Sequence, residues 1–296
     1  MIKKLIHKIK NKELKDYLFW KFSFKRLAIK FKKFTLRIKS YNKYGSSDFN
    51  VVKSLHGNII VNLNDQFIST QIINKKNWEH EEVNLLKSLL EDIRKQRGDG
   101  VVFLDCGANF GVFTIEIAKQ MQNWGDVYAF EPQKQIYNAM CGTLALNNLL
   151  NVTTENIALG SYVGKIQVPI FDYSIKQNFG GLELNKDVSS IKVDGKKVEN
   201  TTMDEVTIRT LDSFKFERVD LIKIDVEGME LDILKGSSLI LKNLKPILFY
   251  EHQKQHRKSD AELIKEYLIT YDYKPLKEIN GNTIAIHKDF KILNLL

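Results

Sequence analysis

The stretch that most limits what this chain can fold into is Val101–Gly111, VVFLDCGANFG. Four apolar residues, Val101–Leu104, lead into Asp105, and Gly107, Asn109 and Gly111 follow. From Val112 to Met121 the apolar residues take helical spacing, at Val112, Ile115 and Ala118, with Phe113 and Ile117 beside them. The pattern predicts a buried strand, a tight turn and a helix, and α/β sheets present ligands where such strands end. Gly107 can adopt positive φ and let a ligand approach the backbone, and Gly111 can let the first helical turn pack near the strand. Asp105 can hold the loop by accepting backbone N–H groups, or it can bind an ammonium group. A glycine after a strand is also an ordinary turn, so the loop alone leaves the ligand site open.

A second acid narrows the reading. Asp126–Phe130 is a short apolar strand that ends at Glu131-Pro132. A carboxylate there can accept hydrogen bonds from both hydroxyls of a ribose. The ligand is therefore read as a nucleoside. The loop lacks the G-x-G-x-x-G spacing of a dinucleotide site, and Gly160–Lys165 lacks the spacing and the Ser or Thr of a phosphate loop.

The D-x-G-x-N-x-G loop followed by Phe130-Glu131-Pro132 resembles the S-adenosylmethionine site of class I methyltransferases. Further along, Thr210-Leu211-Asp212, Asp220–Gly228 (DLIKIDVEG) with Glu230, Leu234-Lys235-Gly236, and Pro246–Glu251 (PILFYE) are similar in order and spacing to the FkbM-type methyltransferases. The likeness runs from roughly Trp78 to Ile286. It implies an α/β Rossmann-like sheet of order 3-2-1-4-5-7-6 with strand 7 antiparallel, and S-adenosyl-L-methionine as cofactor. It further implies O-methylation of a hydroxyl on a sugar, glycan or glycolipid. Asp105, Gly107, Asn109, Gly111, Glu131, Asn156, Ala158 and Asp225 are the expected cofactor contacts, with Asn156–Ala158 beside the adenine. Members of the family often carry a Trp-Glu pair, which makes Trp78-Glu79 a candidate pocket wall. A helix start with acids in its first turn is the other reading of that pair.

Taken in order, the chain falls into three parts. Met1–Ser40 is a basic amphipathic arm, 41–98 a hairpin and covering helix, and 99–296 the methyltransferase domain, with 161–217 inserted as a β cap between strands 3 and 4 of the sheet. The arm holds 14 Lys or Arg and two acids, Glu13 and Asp16. It therefore carries +12 against +9 for the whole chain, and the remainder is net −3. Such an arm can lie on an anionic membrane surface, or pack on the body or on a second subunit. No nucleic-acid-binding motif is present. Two cysteines, Cys106 and Cys141, give no disulfide framework, and no secretory signal is visible. The expected location is cytoplasmic, peripheral at the membrane if the arm binds it. Val51–Ile73 predicts a hairpin turning at Gly57-Asn58 and a third strand at Phe67–Ile73. Val152–Leu159 predicts the third strand of the sheet, and Met229–Leu241 one helix.

Methyl transfer is an in-line displacement, so an alcohol acceptor needs orientation and a base. Strands four and five end in Asp225, Glu227, Glu251 and His252. The three acids are the catalytic candidates, since crowded carboxylates raise one another's pKa. A carboxylate pair capping the next helix is the plainer reading of Asp225 and Glu227. A divalent cation shared by these groups is a further alternative; no metal is assigned. Asn178, Gly180 and His252 are the expected acceptor contacts, from an N-x-G-G piece of the insert and the rim of strand five. The competing class of function is a catalytically silent binding or assembly module of the same fold.

Overall fold

The computed structural model describes residues 48–184, 188–197, 201–251 and 258–290. The arm and His252 lie outside the described residues. The chain divides between Asn50 and Val51, and the fold below is that of the second unit.

Strands β1 (Phe49–Ser54) and β2 (Gly57–Asn62) form a hairpin, followed by helices α1 (Ile68–Lys75) and α2 (His80–Arg97). Then β3 (Val101–Cys106), α3 (Val112–Met121), β4 (Gly125–Phe130), α4 (Lys134–Leu146) and β5 (Val152–Glu155) alternate. Next come short strands: β6 (Ala158–Leu159), β7 (Gly164–Pro169), β8 (Leu182–Glu183), β9 (Lys192–Val193) and β10 (Lys196–Lys197), then the longer β11 (Met203–Arg209). The chain closes with β12 (Leu221–Ile224), α5 (Glu230–Lys235), α6 (Ser238–Asn243), β13 (Ile247–Glu251), α7 (Lys258–Ile269), β14 (Tyr273–Ile279) and β15 (Asn282–His287).

Seven strands make one sheet in the order β14-β15-β13-β12-β3-β4-β5. β3, β4, β5, β12 and β13 run parallel, and β15 runs antiparallel to β13. The central strands are apolar because both faces are covered. Leu104, Cys106, Phe130, Ile222, Ile224, Leu248 and Tyr250 share one face with Ile233, Leu234, Leu241, Ile264 and Leu268 of α5, α6 and α7. The other face carries α2 and α3, with Phe113 against Phe249 at 6.2 Å between ring centres. At the amino ends of the strands, Asp220 accepts hydrogen bonds from Val102 N and from the guanidinium groups of Arg97 and Arg218. The fully buried Asp220 carboxylate ties strands together away from the site.

The insert forms two small sheets, β6-β11-β7 and β10-β9-β8. The expected third strand breaks after Glu155, because Ala158 and Leu159 leave the main sheet to pair with Ile208 and Arg209 of β11. Three other local expectations are corrected. The first hairpin turns at Leu55-His56, and Gly57-Asn58 opens β2, where Asn58 N donates to Asn147 Oδ1. Phe67–Ile73 is mostly helix rather than strand: Asp65 accepts from Ser69 N at 2.6 Å and organises the first turn. The helix after β12 breaks at Gly236-Ser237, where Gly236 lies so close to Gly160 that a Cβ would meet its carbonyl at 2.1 Å.

Candidate active site

The glycine loop is held from below by a cross-strand pair. Lys223 of β12 lies in register with Asp105 of β3 on the same face of the sheet. Its Nζ is 3.1 Å from Asp105 Oδ1, 3.1 Å from Gly107 O and 3.6 Å from Asp225 Oδ2. The other Asp105 oxygen accepts from Thr114 Oγ1 at 2.6 Å. Burial alone would lower the pKa of Lys223, but Asp105, Asp225 and Glu79 keep it above the ordinary lysine value. The ammonium that Asp105 binds is therefore the chain's own. Asp105 is fully buried and does not line the cavity.

Two of the loop glycines also meet close neighbours within the fold. Gly107 has φ 81°, and a Cβ there would lie 1.9 Å from the carbonyl oxygen of Asp225. The close approach is that of the strand-four loop. At Gly111, with φ 84°, a Cβ would meet Met140 of α4 at 2.9 Å, so that glycine fits the loop under α4 rather than near its strand. Between them Asn109, at φ 51°, turns its backbone N–H to Glu131 Oε2 at 3.0 Å.

These elements surround a cavity of about 380 Å³ at the carboxyl ends of β3, β4, β12 and β13, within the ~300–1,000 Å³ usual for small-molecule sites. Glu131 enters from β4. It is 3% exposed, and its second oxygen accepts from Gln133 N at 2.9 Å. Burial pushes its pKa up to about 7 against these two bonds. From the opposite side of β3 come Asp225, Glu227 and Glu251, with one carboxylate oxygen of each within 4.8 Å of the others. The N–H groups of Val226 and Gly228 both turn to Glu230 Oε1, and Glu227 stands at the cavity with φ 57°.

Of the other expected contacts, Gly107, Asn109, Ala158, Asn178 and Gly180 line this cavity. Asn156 does not: its side-chain amide donates to the carbonyls of Glu131 and Pro132, at 2.8 and 3.1 Å. It braces the Glu131 turn while Ile157, Ala158 and Leu159 present the apolar wall. The insert reaches the cavity through Asn178, Gly180 and Leu182, and it is tied to the Glu131 turn by the fully buried Phe179, whose carbonyl accepts from Gln133 Nε2 at 2.8 Å. Trp78 and Glu79 also form part of the wall. Lys223 was legible only as a polar residue within an apolar strand, and Gln133 carried no signal beyond its place after Glu131-Pro132.

The family model described as the methyltransferase FkbM domain matches residues 105–275. The chain belongs to the FkbM methyltransferase family. Among curated proteins, this FkbM-family chain is 24% identical over 155 residues to Methyltransferase 1 of Beauveria bassiana (strain ARSEF 2860), covering 47% of this chain and 59% of that protein. It is 27% identical over 164 residues to Methyltransferase sdnD of Sordaria araneosa, covering 45% and 59%. The match thus spans 59% of the length of each of these relatives. Among solved structures, Methyltransferase FkbM of Methylobacillus flagellatus KT is 18% identical with a TM-score of 0.44, covering 64% of this chain and 44% of that one.

Proposed function

We propose that this FkbM-family chain is an S-adenosylmethionine-dependent O-methyltransferase acting on a hydroxyl of a sugar, glycan or glycolipid. The observation that carries the reading is the division of acids across β3. A single buried carboxylate, Glu131, ends β4 on one side, and three carboxylates end β12 and β13 on the other, all on one cavity. The donor set fits the cofactor. Glu131 offers acceptors to ribose hydroxyls, the Ile157–Leu159 wall with Met229 suits an aromatic ring, and the acids face the end where positive charge would lie.

When bound, S-adenosylmethionine supplies a methyl group on a positively charged sulfur, open to displacement by oxygen. In this reading Asn109 and Gln133 fix the Glu131 carboxylate through their backbone N–H groups, so it meets the ribose pre-oriented. Lys223 holds the loop at Gly107 O and faces the Asp225 carboxylate at 3.6 Å. Asp225, Glu227 and Glu251 orient the acceptor hydroxyl and favour loss of its proton. Asn178 and Gly180 of the insert shape the acceptor side. Calorimetric titration of the full chain with S-adenosylhomocysteine tests the cofactor assignment; absence of binding would refute it and return the chain to a binding or assembly module. We also propose a cytoplasmic location, with the +12 segment Met1–Ser40 meeting anionic membrane. No described helix is long and apolar enough to cross a membrane.

A further inference from the structure

We infer that Glu79 is the proton acceptor of the methyl-transfer reaction, placed in the wall between the reaction cavity and a second, open cavity through which the proton leaves. The inference rests on the methyltransferase reading above. The second cavity, of about 540 Å³, is lined by Lys75, Asn77, His80, Glu81 and Glu82 among others, and shares Trp78, Glu79 and Asn280 with the first. Glu79 precedes the 18-residue helix α2 in the position where a side chain ordinarily caps the free N–H groups, yet its carboxylate makes no cap bond. Its φ of 46° is rare for a glutamate. The backbone is fixed there because Trp78 N donates to Nε2 of the buried His56 at 3.0 Å, and Val83 N donates to Glu79 O. The beginning of α2 is thus anchored on both sides of a carboxyl turned to the cavity instead of to its own helix.

The groups facing Glu79 are Asp225, Glu251, Glu82 and Lys223. Glu227 shares the first cavity, and Lys75, His80 and Glu81 share the second. Burial and Asp225 push Glu79 up to about 8, with Glu82 and Glu251 adding and Lys223 opposing. At neutral pH the carboxyl is therefore mostly protonated. A positive charge brought into the reaction cavity favours the carboxylate and sends that proton out through the second cavity. Glu79 then takes the proton of the acceptor hydroxyl as the oxygen–methyl bond forms and the methyl–sulfur bond breaks. The charges of sulfonium and carboxylate disappear together, leaving ether, thioether and neutral acid.

The test counts protons and needs no acceptor. Calorimetry of the full chain at pH 7 in buffers of different ionisation enthalpy measures protons released on binding S-adenosylmethionine and S-adenosylhomocysteine. Glu131 meets both ligands alike, so the difference isolates the charge on sulfur. The excess for the sulfonium is expected to be roughly half a proton or more in the unaltered chain. It should vanish in Glu79→Gln, and the titration of the ligand's own amine cancels in that comparison. An excess that persists in Glu79→Gln assigns the proton to another acid and overturns the inference, as does no excess in the unaltered chain. If Glu79→Gln does not fold, carboxyl carbon-13 resonances of labelled glutamate in the unaltered chain decide. One glutamate must titrate near pH 8 with the homocysteine form bound and below 7 with the sulfonium, and its absence refutes the assignment. Failure of both ligands to bind is a different result, which removes the cofactor reading and this inference with it.

Discussion

Replacing Glu131 by Gln separates a ribose-binding carboxylate from a merely bulky side chain. Both oxygens of Glu131 accept backbone N–H groups, from Asn109 at 3.0 Å and Gln133 at 2.9 Å. An amide has one acceptor oxygen, so in either orientation its NH₂ faces a backbone donor. One charge-assisted bond, worth about 1.5–3 kcal/mol, is lost, and a buried N–H is left unpaired at about 1–3 kcal/mol. Part of that loss is borne by the protein without ligand. The loss in cofactor affinity is therefore expected at about 2–3 kcal/mol, roughly 30- to 150-fold in Kd, and nearly the same for Glu131→Ala. Titration with S-adenosylhomocysteine measures it, with circular dichroism to establish that the variant folds. A Glu131→Gln variant that binds within about threefold of the unaltered chain would show that Glu131 does not hold the ligand, and that the loop survives without its two bonds.

Lys223→Met should lower unfolding stability by about 3–5 kcal/mol in urea, because Asp105 is left buried and charged; adding Asp105→Asn should restore part of that, and strictly additive losses would refute the pairing. Gly107→Ala forces a Cβ onto the Asp225 carbonyl and is expected to destabilise by about 2–3 kcal/mol, which a thermal melt will show or deny. Asp225→Asn and Glu251→Gln should bind S-adenosylhomocysteine near normally and slow turnover by about 100-fold; turnover at the unaltered rate would remove them from the mechanism. Glu131 and Glu79 keep protons in the folded chain up to about 7 and about 8, which the unfolded chain releases near 4.5. Their contribution to stability is therefore fullest below about pH 4.5 and is lost as pH rises toward 8. Melting temperatures of the ligand-free protein across that window should fall, and Glu79→Gln should flatten the upper part.

Read alone, the chain displayed whatever depends on neighbours in sequence. Val101–Gly111 gave strand, turn and helix because apolar run, glycines and helical spacing are local signals, and Glu131 was visible because it directly ends an apolar strand. The acids at 225, 227 and 251 could be grouped because they stand at the ends of two readable strands. The family resemblance, resting on the DLIKIDVEG stretch, was legible for the same reason. The short segments were less secure: Phe67–Ile73 suits strand or helix equally by composition, and the Asp65 bond to Ser69 decides it. What only the tertiary structure settled depends on register between strands distant in sequence. Lys223 became the partner of Asp105 because β12 pairs with β3 in parallel at that offset. Gly107 must be glycine because the Asp225 carbonyl crosses above it. Asn156 spends its amide on the Glu131 turn, and Glu79 faces the acids because α2 packs back across α3 and β3. Periodicity records which face of an element is buried; it holds no record of which distant side chain that face will meet.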